Sequence, residues 1–147
     1  EKLRRKLQER LDSEAPGHDV RLTGFITNME QYMGAADLIV TKPGGLTTSE
    51  AIAMRLPMVL YRPLPGQEED NADYLTGAGV AVRAANEEAL METVRQLVRQ
   101  PERLSAMRRN METMHMETAS YRALDAIMAA RHIPAPSWES PFVRVGI

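Results

Sequence analysis

Apolar positions along this chain switch between a helical rhythm and short unbroken runs, and the switches divide it into elements. Leu3, Leu7 and Leu11 recur at helical spacing with charged residues between them. This predicts a helix over residues 1–13 with one apolar face. Such a face needs a partner, and residue 1 already lies inside the helix. The expectation is therefore that the first strand of the domain is missing upstream. Pro16 and Gly17 signal a turn, and residues 20–24 read as a short strand. Asn28 is placed to cap a short helix over 28–33. Asp37-Leu38-Ile39-Val40-Thr41 is a compact apolar run, which predicts a strand over 37–41 buried on both faces. Lys42, Pro43, Gly44 and Gly45 interrupt it.

A helix is predicted over 46–55, a buried strand over 58–61, and a proline- and glycine-bearing loop over 62–66. Another helix over 69–76 and a strand over 79–83 complete the alternation. Strands separated by helices are the pattern of right-handed crossovers on a parallel sheet, so the predicted class is α/β with a Rossmann-like sheet. Beyond this the chain turns helical. Asn86 caps one helix, with Glu87 and Glu88 in its first turn. Pro101 opens another, along which Leu104, Met107, Met111 and Met114 form a stripe. A third helix is predicted over 119–131. Residues 133–147 hold prolines and Trp138, the sole tryptophan, and read as an extended tail. The expected division is a domain over 1–132 and a tail over 133–147.

Composition narrows the function classes. With 147 residues the chain is long enough for one real core. The formal net charge of −2 gives no general attraction to nucleic acid. No cysteine is present, which excludes disulfides and thiolate metal sites. His18, His115 and His132 are scattered without metal-ligand spacing. No apolar run is long enough to span a bilayer and no leader pattern opens the chain. A cytoplasmic protein that touches a membrane from one side at most is the reading that fits. Arg103, Arg108 and Arg109 read as a solvated helix face.

Two segments carry candidate chemistry. In Thr41-Lys42-Pro43-Gly44-Gly45-Leu46-Thr47-Thr48-Ser49-Glu50 a strand runs into a glycine pair and then a hydroxyl-rich helix start. In an open α/β sheet ligands bind at this end of the strand. Glycines admit an anion close to backbone N–H groups, and the helix start favours negative charge. A glycine pair also occurs where a turn merely ends a strand, and that plainer reading has about even weight for this segment alone. Glu50, one turn into the helix, tips the balance, because a carboxylate beside an anion site suits ribose hydroxyls; otherwise it only complements the helix dipole. The second segment, Pro63-Leu64-Pro65-Gly66-Gln67-Glu68-Glu69-Asp70-Asn71, follows the next strand. Gln67, Glu68 and Asn71 offer the donors and acceptors that a sugar requires, although composition alone reads this segment as a solvated loop and helix cap.

Together these segments resemble the C-terminal half of the diacylglycerol glycosyltransferases: the bacterial processive glucosyltransferases, the plant monogalactosyldiacylglycerol synthases, and more distantly the enzyme that adds N-acetylglucosamine to lipid I. The resemblance covers about residues 1–130. It rests on Thr-Lys-Pro-Gly-Gly at 41–45, Glu50, Pro-Gly-Gln-Glu at 65–68, and Asn71 with Ala72. It implies the C-terminal domain of a GT-B fold, which holds a UDP-sugar, and transfer of a hexose with inversion to diacylglycerol or a glycolipid. It also implies roles: Phe25 and Ile26 at the uracil, Gly44, Gly45, Leu46 and Thr47 at the phosphates, Glu50 at the ribose, Gln67 and Glu68 at the hexose, and Asn71 close by. Glutamine followed by glutamate at 67–68 is the lipid-enzyme form of that pair. The acceptor-binding N-terminal domain of the family is absent from this sequence, so the catalytic base and the lipid acceptor are expected there. No cofactor or bound metal is implied, and the UDP-sugar is a co-substrate. Peripheral membrane contact is implied through the acceptor. The rival readings are a UDP-binding subunit of a split glycosyltransferase and an enzyme like UDP-N-acetylglucosamine 2-epimerase.

Overall fold

The structure, a computed structural model, describes residues 2–14, 17, 19–114, 126, 127 and 129. The turn at Pro16, the three histidines, most of the helix predicted over 119–131, and the tail with Trp138 lie outside the described residues. Contacts divide the chain into two units, Glu1–Tyr32 and Met33–Ile147.

The first unit contains α1 (Lys2–Glu14) and an irregular stretch leading to α2 (Met29–Ala35), which continues into the second unit. The helix predicted over 1–13 is found. The strand predicted over 20–24 is not: those residues form no ladder. Val20 and Leu22 do alternate with polar residues, but a strand needs a neighbour to take its N–H and C=O groups. Here Arg21 instead reaches back to Asp19 at 3.0 Å.

The second unit is built on β1 (Ile39–Thr41), β2 (Met58–Tyr61) and β3 (Ala81–Ala84), parallel and in the order β1-β2-β3. Ile39 pairs with Met58, and Met58 with Ala81. The crossovers are α3 (Gly45–Ala53) and α4 (Gln67–Gly77), followed by α5 (Glu87–Arg99) and α6 (Pro101–Glu112). Side chains of β2 alternate between two cores, as a strand's period of two requires. Met58 and Leu60 join Ala51, Ile52, Leu56, Ala72 and Leu75 on the face covered by α3 and α4. Val59 joins Ala84, Leu97, Leu104 and Met107 on the face covered by α5 and α6. Helices therefore cover both faces of the sheet, which is the α/β arrangement expected.

One expectation needs correcting. The run at 37–41 forms a strand over only three residues and is not buried on both faces, since Val40 is 48% exposed. Among the described strands β1 pairs on one side only, so its apolar character does not guarantee burial as it does for β2. The signals at Asn86, Pro101 and the Leu104–Met114 stripe act as read, whereas the Asn28 side chain donates to Gln31 Oε1 at 2.8 Å rather than capping α2. Asn86 accepts a hydrogen bond from the Ala89 N–H at 2.8 Å, and Pro101 occupies the first turn of α6. Leu104, Met107 and Met111 are buried, and Met114 packs against the core.

Arg55 and Gly79 end α3 and α4 by the same device. Arg55 N–H bonds to Ile52 O and Leu56 N–H to Ala51 O. Gly79 N–H bonds to Thr76 O and Val80 N–H to Leu75 O. Both are Schellman ends with a left-handed residue after the cap, Arg55 at φ 52 and Gly79 at φ 69. Each end turns the chain straight back into the buried positions Leu56 and Val80 that precede the next strand. These returns fix the starts of β2 and β3, at the edge of the sheet opposite the motif loops.

Candidate functional site

The first motif leaves β1 at Thr41 and enters α3 at Gly45. Gly44 holds the cap position with extended backbone (φ −70, ψ 137), and its own lack of a side chain leaves the helix start without a side-chain cap. The N–H groups of the first helical turn have no acceptor inside a helix, so Gly45, Leu46 and Thr47 present donors at a positive helix end. Leu46 is 76% exposed, Gly45 is exposed, and Gly44 and Thr47 are half-buried.

Thr48 is the residue that sequence reasoning missed. It is buried, 4% exposed, and its hydroxyl lies 2.9 Å from Gly44 O and 3.2 Å from Gly45 O. Its N–H also bonds to Gly44 O at 3.0 Å. The available signal was helical phase: Thr48 shares a face with Ala51 and Ile52, both core residues. Glu50, two residues further, is exposed. Its carboxylate stands on the solvent side of α3.

The second motif leaves β2, the neighbour of β1, and enters α4 through Gly66. Gly66 has φ 94 and ψ −129, a conformation that side-chain-bearing residues avoid. Its carbonyl accepts from the N–H groups of Glu69 and Asp70. Glu68 braces the loop from the other side: its Oε2 accepts from Leu64 N–H at 2.7 Å. Gln67 is exposed at the first position of α4, while Glu68 and Asn71 are half-buried. Glu69 is ion-paired with Arg83 at 2.6 Å. The first turn of α4 is acidic, with Glu68, Glu69 and Asp70, which complements its dipole.

Asn71 joins the two motifs. Its Nδ2 donates to Pro43 O at 2.9 Å across 28 positions of sequence. Parallel neighbouring strands bring Gly44, Gly45, Leu46, Thr47 and Asn71 to one edge of the sheet, and Gln67 and Glu68 start the helix that carries Asn71. Phe25 and Ile26 belong to the first unit. Phe25 is 97% exposed there and Ile26 half-buried. Among the described residues no group of His, Cys, Asp or Glu is arranged to hold a metal. No helix of the described residues is long and apolar enough to cross a membrane.

A parallel sheet with a glycine-bearing loop at one strand end and a polar loop at the next has the edge at which α/β folds commonly bind ligands. The chain belongs to the glycosyltransferase family 28 C-terminal domain family, which it matches over residues 1–123. It is similar to the processive diacylglycerol beta-glucosyltransferase of Bacillus pumilus (strain SAFR-032), at 33% identity over 109 residues, covering 74% of this chain and 28% of that protein. The enzyme of the same name from Bacillus subtilis (strain 168) is 31% identical over 112 residues, covering 76% of this chain and 29% of its own. The crystal structure of the glycotransferase of kitacinnamycin is similar in fold, with a TM-score of 0.53 and 25% identity. That match covers 81% of this chain and 34% of the other. The fold is thus that of the C-terminal domain of a GT-B glycosyltransferase. The chain spans about three tenths of the length of the curated relatives it matches.

Proposed function

We propose that this domain holds a UDP-sugar and, within a whole glycosyltransferase, presents it for transfer of a hexose to diacylglycerol or a glycolipid. The observation that carries the reading is the junction of the two motif loops on neighbouring parallel strands, drawn together by the Asn71–Pro43 hydrogen bond. It occurs in a chain of a glycosyltransferase family whose relatives include processive diacylglycerol glucosyltransferases.

In this reading the diphosphate lies against Gly44, Gly45, Leu46 and Thr47. Backbone N–H groups and the positive end of α3 hold its charge. They also stabilise the leaving UDP as the glycosidic bond to it breaks, without a metal held by this domain. Glu50, on the exposed side of α3, accepts hydrogen bonds from ribose hydroxyls. Gln67 and Glu68 meet the hexose, and Phe25 and Ile26 the uracil. An acceptor hydroxyl attacks the anomeric carbon from the face opposite UDP, which inverts the configuration, and a base removes its proton. The carboxylates assigned here are committed to donor hydroxyls, so the base and the lipid-binding surface belong to the acceptor-binding part of the whole protein. The donor half alone then binds without turnover. Contact with lipid puts the working enzyme at the cytoplasmic face of a membrane as a peripheral protein.

Calorimetric titration with UDP tests the reading, with Glu50→Ala as the diagnostic variant. Glu50 is exposed, so its truncation removes no core packing. Loss of charge-assisted hydrogen bonds should weaken UDP by about 1–3 kcal/mol. Unchanged affinity would remove Glu50 from the site, and no UDP binding by the unaltered chain would remove the reading itself.

A further inference from the structure

Pro43, Gly44 and Gly45 form a segment that ought to be loose. Two consecutive glycines carry the largest conformational freedom of any residue pair, and α3 begins without a side-chain cap. Yet their three carbonyls are all held by side chains. Pro43 O accepts from Asn71 Nδ2 at 2.9 Å. Gly44 O and Gly45 O share the single Thr48 hydroxyl proton, at 2.9 and 3.2 Å from its oxygen. Thr48 is 4% exposed, so its hydroxyl is fixed by packing.

Every described peptide bond is trans. In a planar trans peptide the C=O and the following N–H point in opposite directions. Holding Pro43 O therefore aims the Gly44 N–H. Holding Gly44 O aims the Gly45 N–H, and holding Gly45 O aims the Leu46 N–H. The backbone donors of the first motif are oriented through their carbonyls, from behind. Helix α3 can supply none of this for Pro43, because its first backbone bond, from Thr48 N–H, ends on Gly44 O. Among the described residues Asn71 alone supplies Pro43 O with a donor.

We propose that Asn71 and Thr48 are positioning residues that preorganise the phosphate-binding N–H groups. Asn71, although it lies on the helix of the sugar loop, acts on the diphosphate through Pro43. This rests on the donor-site reading above. It differs from a role for Asn71 as a sugar contact, because a positioning residue affects every ligand that carries the diphosphate, with or without the hexose.

The test uses the full 147-residue chain and the variants Asn71→Ala and Thr48→Val, the second keeping the shape of a buried side chain. UDP, UDP-glucose and uridine are titrated against each. The expected result is that both variants lose about five- to twenty-fold in affinity for UDP and UDP-glucose alike, the range of one or two hydrogen bonds. Uridine, which has no phosphate, should bind as before. A loss confined to UDP-glucose would overturn the proposal and make Asn71 a sugar contact. An equal loss for uridine would overturn it in favour of a general structural role. Amide hydrogen exchange on the ligand-free chain gives a readout that needs no nucleotide. Exchange at Thr48, Ser49 and Glu50 should quicken several-fold in Asn71→Ala while β2 keeps its protection, and unchanged exchange would overturn the tether. If the unaltered chain binds no UDP, the donor-site reading fails, and exchange still decides whether Asn71 orders the loop.

Discussion

Replacing Gly66 by alanine isolates the contribution of one backbone conformation to the second motif. Gly66 has φ 94 and ψ −129, and a Cβ built on it meets nothing within 4 Å. The substitution therefore introduces no clash, and its whole cost is conformational. A side chain in such a region costs about 1–3 kcal/mol. The loop has one way to avoid that cost, which is to rotate Gly66 back to negative φ. Rotation would misdirect its carbonyl, which takes the N–H groups of Glu69 and Asp70 at 2.9 and 3.2 Å. It would also separate Leu64 N–H from Glu68 Oε2, now 2.7 Å apart. Net contributions of about 0.5–1.5 kcal/mol for each neutral bond, and more for the one to a carboxylate, make that route no cheaper. The expected destabilisation is thus about 1–3 kcal/mol, read as a lowered urea midpoint with an unchanged slope. Gly77→Ala is the control in the same helix. Gly77 has open space around its Cβ direction and no positive φ, so alanine there should stabilise by about 0.5 kcal/mol. In a binding assay Gly66→Ala should weaken UDP-glucose more than UDP, because Gln67 and Glu68 follow directly. A Gly66→Ala protein as stable as the unaltered chain, with unchanged UDP-glucose affinity, would refute the reasoning.

Three further outcomes are expected. Gly79→Ala should destabilise by about 2–3 kcal/mol in the same urea experiment. It forces a side chain to φ 69 and brings Cβ to 2.6 Å from Asn110 Nδ2, expelling a donor that bonds Gly79 O at 3.0 Å. Arg55→Gly should do the reverse at the equivalent end of α3. It should gain roughly 0.5–1 kcal/mol from relief at φ 52, less a few tenths for the exposed pair with Glu112, and a lower midpoint would contradict the Schellman assignment. Chelation with EDTA should leave UDP affinity within error in calorimetry, and a large loss would mean that a divalent ion bridges the diphosphate to the protein.

Signals that act within a few residues could be read from the sequence. The boundaries of β2 follow from an apolar run between Pro57 and Arg62, and the start of α5 follows from Asn86 and the acids after it. The α/β class follows from their alternation. What the sequence hid depends on neighbours. The run at 37–41 and the run at 58–61 look alike, yet Val40 is exposed and Val59 buried, because β2 has a strand on each side. Residues 20–24 carry strand-like alternation but pair with no strand among the described residues. The left-handed backbone at Arg55 and Arg62 was illegible, since glycine is the residue that announces it. At the site, glycines and carboxylates advertised themselves by type and by resemblance. Thr48 and the Asn71–Pro43 bond did not, because one depends on helical phase and the other on the strand order that brings position 71 to position 43.

The central claim is that a nucleoside diphosphate lies at the ends of β1 and β2, against the start of α3. Backbone amide chemical shifts of the 147-residue chain, followed through a titration with UDP, test it most directly. The account expects the largest changes at Gly44, Gly45, Leu46 and Thr47, with a second group at Gln67 and Glu68 that grows when UDP-glucose replaces UDP. The α5 and α6 amides should stay still. Saturable binding whose shifts fall on α5 and α6 while residues 44–47 remain unmoved would contradict it.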